Sequence, residues 1–376
     1  MFALVAVAVL VAVTPAATQR EIVGIAVPRS VVDVQFVLAT TVKFPNATDS
    51  NSPSFWMDDQ FYLLNSFNGQ PRLSKGPSLE KLVDMPEVAP GKNSVYLDDL
   101  HAGAWMESVI PDESAGRVYG WYHAEFVLQC PKGQRFYPVI GAAFSDTNGT
   151  TWQDLGIVLT PRGGVPGCNT DHPVTAGGVG DFSVILDNNT DPADHYAYFF
   201  FSNYSGSVQE QGISFARMLW IDRDRPIDEQ TGQSRVLKWY AGYWTERGLG
   251  GWSTPLDDSR KVSWQSASNN GYWGPSIHWN VDLQTYVILM SRSKGGNYTT
   301  EGIYLTSSND PSNPLSWAVP KKIIEAGQSW YPQVVGDQSI HGTDRLAGRT
   351  ARYFNAGRSS SYIVFAKSQP VIPNRK

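Results

Sequence analysis

The sequence predicts an all-β chain folded as a five-bladed β-propeller, on three observations. A short strand opening recurs five times, an aromatic and β-branched run follows most of these openings after a turn, and no segment sustains a 3.6-residue period. The openings are Ser52-Pro53-Ser54-Phe55, Met106-Glu107-Ser108-Val109, Asp181-Phe182-Ser183-Val184, Gly274-Pro275-Ser276-Ile277 and Tyr331-Pro332-Gln333-Val334. Five units of several antiparallel strands around one axis make five blades.

The second runs are Phe61–Leu64, Val118–Tyr122, Tyr196–Phe201 and Tyr286–Met290. The fifth unit is less regular and ends in Ser361-Tyr362-Ile363-Val364-Phe365. Third strands show at 138–143 and 302–305. The run from Val31 to Leu38 is the candidate closing strand of the last blade. A two-sheet sandwich would account for alternating strands but not for five equivalent openings. A length of 376 residues by itself suggests two or three domains. The repeats override that, giving one propeller domain over 19–376.

Residues 1–18 read as a signal peptide: an apolar run bounded by Pro15, Ala16 and Ala17. An uncleaved anchor is the alternative. The chain is expected to be secreted, free of the membrane after cleavage, and monomeric. Five Asn-x-Ser/Thr sites, at Asn46, Asn148, Asn188, Asn203 and Asn297, fit a glycoprotein. The two cysteines, Cys130 and Cys168, are expected to pair in an oxidising compartment, with two buried thiols as the alternative. The net charge of −5 offers no basic patch, so nucleic acid is not an expected partner.

Inner strand openings of a propeller converge at one end of the axis, and polar groups there share a funnel. Glu107 and Asp181 stand at two of the five openings. Paired carboxylates are the equipment of glycoside hydrolysis, one protonating the leaving oxygen and the other attacking or activating water. Aligned on the serine, Asp181 lies one place earlier than Glu107, so on regular strands the two would face opposite sides. His123 and Glu125 share one face of a second strand and complete the catalytic candidates. The expected substrate-binding residues are Ser52, Trp56, Trp105, His172, Trp273, His278, Trp330, Tyr331 and Arg345. Their aromatics would stack on sugar rings, and the arginine would clamp an acidic sugar. No metal-ligand spacing is present and no cofactor is expected; a structural calcium ion at the axis finds no support in the sequence.

Ser145-Asp146-Thr147-Asn148-Gly149-Thr150-Thr151-Trp152 resembles the Asp box of sialidase-like propellers, with Thr147 where the Asp belongs. The Ser-Pro-Ser, Asp-Phe-Ser and Gly-Pro-Ser openings resemble the five-bladed glycosidase superfamily of arabinanases, β-xylosidases, invertases and levansucrases. The Trp-Met-Glu-Ser, Gly-Trp-Tyr-His and Gly-Asp-Phe-Ser segments resemble a group of secreted glycosyl hydrolases without an assigned substrate. The resemblance implies a carbohydrate substrate and a catalytic Asp at the Asp181 position. It also implies a blade-one Asp, where this chain has Ser52 after Asn51. A lectin-like propeller that has lost its base, and a polysaccharide lyase, are therefore the competing readings.

Overall fold

The computed structural model describes residues 32–87, 101–189, 191, 193–256, 261–327 and 330–368. The expected signal peptide lies outside the described residues.

Strand β1 (Val32–Lys43) comes first. Blade I holds β2 (Ser54–Met57), β3 (Gln60–Phe67), β4 (Gln70–Gly76) and β5 (Val83–Glu87). Blade II holds β6 (His101–Asp112), β7 (Arg117–Cys130), β8 (Gly133–Ser145) and β9 (Gln153–Leu159). Blade III holds β10 (Val179–Leu186), β11 (Tyr196–Asn203), β12 (Gly212–Leu219), β13 (Leu237–Tyr240) and β14 (Tyr243–Arg247). Blade IV holds β15 (Tyr272–Asn280), β16 (Thr285–Ser293), β17 (Thr300–Ser308) and β18 (Lys321–Glu325). Blade V begins with β19 (Pro332–Gly336); the short β20 (Leu346–Ala347) then joins the far end of β15 in parallel. Strands β21 (Thr350–Asn355) and β22 (Arg358–Lys367) complete blade V, and β1 adds outside β22. The expected closing strand is thus in place, paired with β22 at nine residues.

Each blade faces a neighbour on both sides, so successive residues of a strand fill alternate seams. Leu64 packs toward blade II with Met106 and Val109, while Leu63 packs toward blade V with Val335 and Phe354. Phe199 joins Trp121 and Phe182 in the seam between blades II and III, and Phe200 joins Ile277 and Ile288 in the next. Val287 and Val334 fill the fifth. Burial on both faces explains continuous apolar runs such as Phe199-Phe200-Phe201 in place of strict alternation.

The recurring serine has a structural reason. At its opening an inner strand has no partner strand on its axial side, and its free N–H groups there need acceptors. Ser108 Oγ accepts Val184 N–H at 3.0 Å, and Ser183 Oγ accepts Ile277 N–H at 3.1 Å, so each serine clasps the next blade. Between blades V and I the clasp is Gln333, which bonds both the N–H and the carbonyl of Ser52 at 2.8 and 2.9 Å. Asn51 crosses the axis. Its amide donates to Phe182 O and Pro275 O at 2.8 and 2.9 Å, joining blades I, III and IV.

The Asp-box turn joins β8 to β9, on the outer side of blade II. Thr147 Oγ1 accepts Thr151 N–H at 2.9 Å, and Trp152 is buried with its indole N–H on Gly149 O at 3.0 Å. Thr147 therefore supplies an acceptor at the position where the motif has an Asp.

Cys130 and Cys168 form a disulfide across a sequence separation of 38. It ties the tip of the β7–β8 hairpin to the long loop before β10. Replacing both cysteines by serine should cost roughly 3–4 kcal/mol of stability through loss of loop closure. Urea unfolding of the two forms, compared by midpoint and slope, checks this.

Candidate active site

Two irregularities in the inner strands resolve the register question. Met106 pairs with Tyr122 and Ser108 with Trp121, leaving Glu107 as the extra residue of a bulge. Gly180 pairs with Ser202 and Phe182 with Phe201, leaving Asp181 as another. Bulges re-aim side chains, so two residues at different offsets from their serines reach one pocket. Asp181 has φ of 40°, and the equivalent Gly274 and Tyr331 have φ of 60° and 55°. Left-handed backbone at a non-glycine residue costs about 1–2 kcal/mol, and here it recurs at the mouths of three inner strands.

The pocket encloses about 320 Å³ and is lined by Asp49, Trp105, Glu107, His123, Glu125, Val174, Asp181, Trp273, Asn297, Tyr298, Trp330 and Tyr331. A larger apolar groove of about 560 Å³ lies against β9 and carries one carboxylate, Asp154, already held by Tyr122 Oη at 2.6 Å. The titratable cluster is in the smaller pocket.

Glu107 is 1% exposed. Its Oε2 accepts Phe182 N–H at 2.7 Å, and its Oε1 has no hydrogen-bond partner but lies 3.2 Å from His123 Nδ1. Burial pushes the carboxyl up to about 7, reinforced by the Asp181 charge and opposed by His123 and the Phe182 N–H. Asp181 is set differently. Its Oδ2 accepts the Tyr204 hydroxyl in a short bond, and its Oδ1 accepts the Tyr331 hydroxyl at 2.9 Å. Hydroxyl donors on both oxygens are the pattern of an ionised carboxylate. Burial, followed by the Asp181 charge, keeps both tyrosines well above their ordinary values and so protonated.

His123 bridges the group. Its Nδ1 lies 3.1 Å from Asp181 N and 3.2 Å from Glu107 Oε1, and its Nε2 faces Glu125 Oε1 at 3.6 Å. Burial alone would lower the imidazole, but Glu107, Glu125 and Asp181 outweigh it and hold it well above its usual value. Ser202, at the matching place in blade III, accepts Gly274 N–H at 2.9 Å. His123 thus stands where the fold elsewhere uses a serine clasp. Gly180 makes room for the ring, since a Cβ there would lie 2.7 Å from His123 Cε1 and 2.7 Å from Pro138 Cβ. Gly180→Ala should cost about 1–3 kcal/mol by overpacking. It should also displace the imidazole, visible as a shifted His123 resonance in NMR.

Ligand atoms of Glu107, His123 and Asp181 lie within 4.8 Å of one another, the span of a cation site. Asp181 and Nδ1 already spend lone pairs on the hydroxyl and amide donors, leaving Glu107 Oε1 as the unengaged atom. The cluster suits proton sharing better than metal ligation.

Sequence reading missed Asp49. It lies in the segment before β2, and its Oδ1 accepts the Trp105 indole N–H at 2.6 Å. Burial raises its carboxyl from the ordinary value. Blade I therefore supplies an acid to the pocket, three residues before the Ser52 at which one was sought. Tyr204 and Tyr298 were also missed. They pack in one aromatic cluster with Trp264, Trp273 and Tyr331. Trp330 is 37% exposed and pinned through its N–H to Tyr298 O, while Trp273 is buried behind Tyr331. Of the pocket's three indoles, Trp105 and Trp330 have accessible faces.

Five expected binding residues lie elsewhere. Ser52 is consumed by the Gln333 clasp. Trp56 donates to Gly342 O and stacks on His341, further along the inner strand. His172 is buried, with Nδ1 accepting Val174 and Thr175 N–H, and braces Tyr298 edge-on at 5.1 Å. His278 is fully buried against Phe365 and held down to about 3 by desolvation. Arg345 sits beside the far end of β15, where its carbonyl accepts Trp279 N–H. Asn203 is buried with its amide bonded to Glu210 O and Ser253 Oγ, so that sequon is closed to modification in the folded chain.

No family model and no curated protein matches the chain. Among solved structures, it is similar to the exo-β-1,3-galactanase of Phanerochaete chrysosporium with galactose, at 13% identity and TM-score 0.47, covering 88% of this chain and 65% of that one. It is similar to the exo-β-1,3-galactanase of Clostridium thermocellum at 12% identity and TM-score 0.48, covering 88% and 63%. It is also similar to the endo-arabinase of Bacteroides thetaiotaomicron at 14% identity and TM-score 0.44, covering 89% and 98%. The chain thus spans just under two thirds of each galactanase chain.

Proposed function

We propose that this protein is a secreted glycoside hydrolase, with Glu107 as general acid and Asp181 as its ionised partner. The observation that carries the reading is the different setting of two carboxyls in one aromatic pocket. Burial pushes Glu107 up to about 7, so that it keeps its proton toward neutral pH, while both oxygens of Asp181 accept tyrosine hydroxyls. A buried, proton-bearing carboxyl suits the acid, and a carboxyl given only donors suits its partner.

In the bond-breaking step the Glu107 proton passes to the glycosidic oxygen as the bond to the anomeric carbon breaks. An oxygen of each carboxyl lies within 4.8 Å of one on the other, nearer the roughly 5–5.5 Å of direct attack than the roughly 6.5–9.5 Å that an intervening water needs. Asp181 then bonds the anomeric carbon, Glu107 takes a proton from water, and that water displaces Asp181 with net retention. A second reading is favoured by Asp181 having both oxygens engaged, which blunts it as a nucleophile. Asp49 would then activate the water, and the product anomer would be inverted. Trp105 and Trp330 supply stacking faces in either case.

The test is a digest of a neutral and acidic glycan panel, read by mass spectrometry, with wild type, Glu107→Gln and Asp181→Asn. Cleavage by wild type alone supports the proposal. Binding without cleavage by any form overturns it in favour of a lectin. Proton NMR of the first product anomer separates the two mechanisms.

A further inference from the structure

Acidic side chains dominate the polar lining of the pocket. Asp49, Glu107, Glu125 and Asp181 face it against one basic group, His123, and no lysine or arginine is among its described lining residues. Arg345, the expected clamp for an acidic sugar, belongs to the other end of the blade. Two of the carboxyls lie close to the Trp105 platform: Asp49 is bonded to its indole, and Glu125 is on the neighbouring strand, paired with Gly103. Glu125 Oε1 faces His123 Nε2 at 3.6 Å, beyond hydrogen-bond length, and so keeps acceptor capacity.

Apolar aromatic walls of low dielectric focus such a field instead of dissipating it. The one basic group, His123, is already faced by Glu107, Glu125 and Asp181 at 3.2, 3.6 and 3.9 Å. A ligand carboxylate entering there meets like charge with no free cation to receive it, whereas an ammonium finds acceptors. From this acidic lining we infer that the pocket selects sugars carrying a protonated amine over their neutral counterparts and excludes uronates. The inference rests on the reading that the pocket receives a sugar. It also turns the polysaccharide-lyase alternative aside, since a uronate substrate needs a free cation and His123 is already engaged by carboxyls.

The experiment titrates the intact protein with matched sets in mildly acidic buffer: galactosamine, galactose and galacturonate, then glucosamine, glucose and glucuronate. Tryptophan fluorescence reads binding, because Trp105 and Trp330 line the site. Within a set, the amine should bind about tenfold tighter than the neutral sugar and the uronate about tenfold weaker. Both gaps should shrink as salt is raised, and Glu125→Gln should narrow the amine preference by about threefold or more. A uronate that binds as tightly as its neutral partner overturns the inference while leaving the sugar reading intact. So does an amine preference indifferent to both salt and Glu125→Gln. Failure of all six sugars to bind overturns the sugar reading itself, and this inference with it.

Discussion

Glu107→Gln should abolish most activity while making the protein more stable at alkaline pH. The glutamine side chain copies a protonated glutamate. Its oxygen can still accept the Phe182 N–H, but it has no proton to give. Loss of general acid catalysis is expected to lower turnover by about 10²–10⁴-fold. The stability change has the opposite sign. The folded carboxyl is raised to about 7 from 4.5, so its favourable contribution is fully present below pH about 4.5 and is lost as pH rises through 7. Above that, wild type must ionise a buried group and the variant need not. The expected gain at pH 8 is on the order of 2–3 kcal/mol. Thermal melts at pH 5 and pH 8 check it: the two proteins should match at the lower pH and diverge at the higher. Equal melting at both would show that Glu107 does not carry the buried proton. The same ionisation predicts that wild-type turnover falls as pH rises past about 7.

Removing the closing strand should have the largest effect on folding. A chain beginning after Lys43 loses nine paired residues along β22 and leaves blade V with a long unpaired edge. With net values near 1 kcal/mol per hydrogen bond, about 5 kcal/mol or more is at stake. For a chain of this size that corresponds to roughly 10 °C in Tm. Calorimetry and light scattering should show a lower, broader transition and association through the exposed edge. An unchanged transition would mean that ring closure rests on the Gln333 clasp instead.

The repeats were legible because each blade solves the same problem with the same residues. Every inner strand needs a clasp for its axial N–H groups and apolar side chains on both faces, and Ser-Val, Ser-Ile and their neighbours write this plainly. Glu107, Asp181, His123 and Glu125 were found through those openings and the second strand beside them. Their convergence could not be read, because it depends on bulges. One extra residue in a strand leaves no mark in the apolar pattern when both faces are buried. Asp49 was hidden for another reason: it lies outside the repeated motif, in a segment whose path is set by contacts with Trp105 and Asn68. His278 and Arg345 were misplaced because sequence gives the face of a strand but not the depth along it. One points into a seam and the other belongs to the opposite rim.

Asn51 has a bearing on traffic through the site. It bonds the strands of blades III and IV to blade I across the axis, so the axis there is bridged by side-chain hydrogen bonds. Under the proposed hydrolysis, a product would then leave by the mouth through which the substrate entered. Competitive inhibition by the released sugar would follow, a brake set by the fold's own axis.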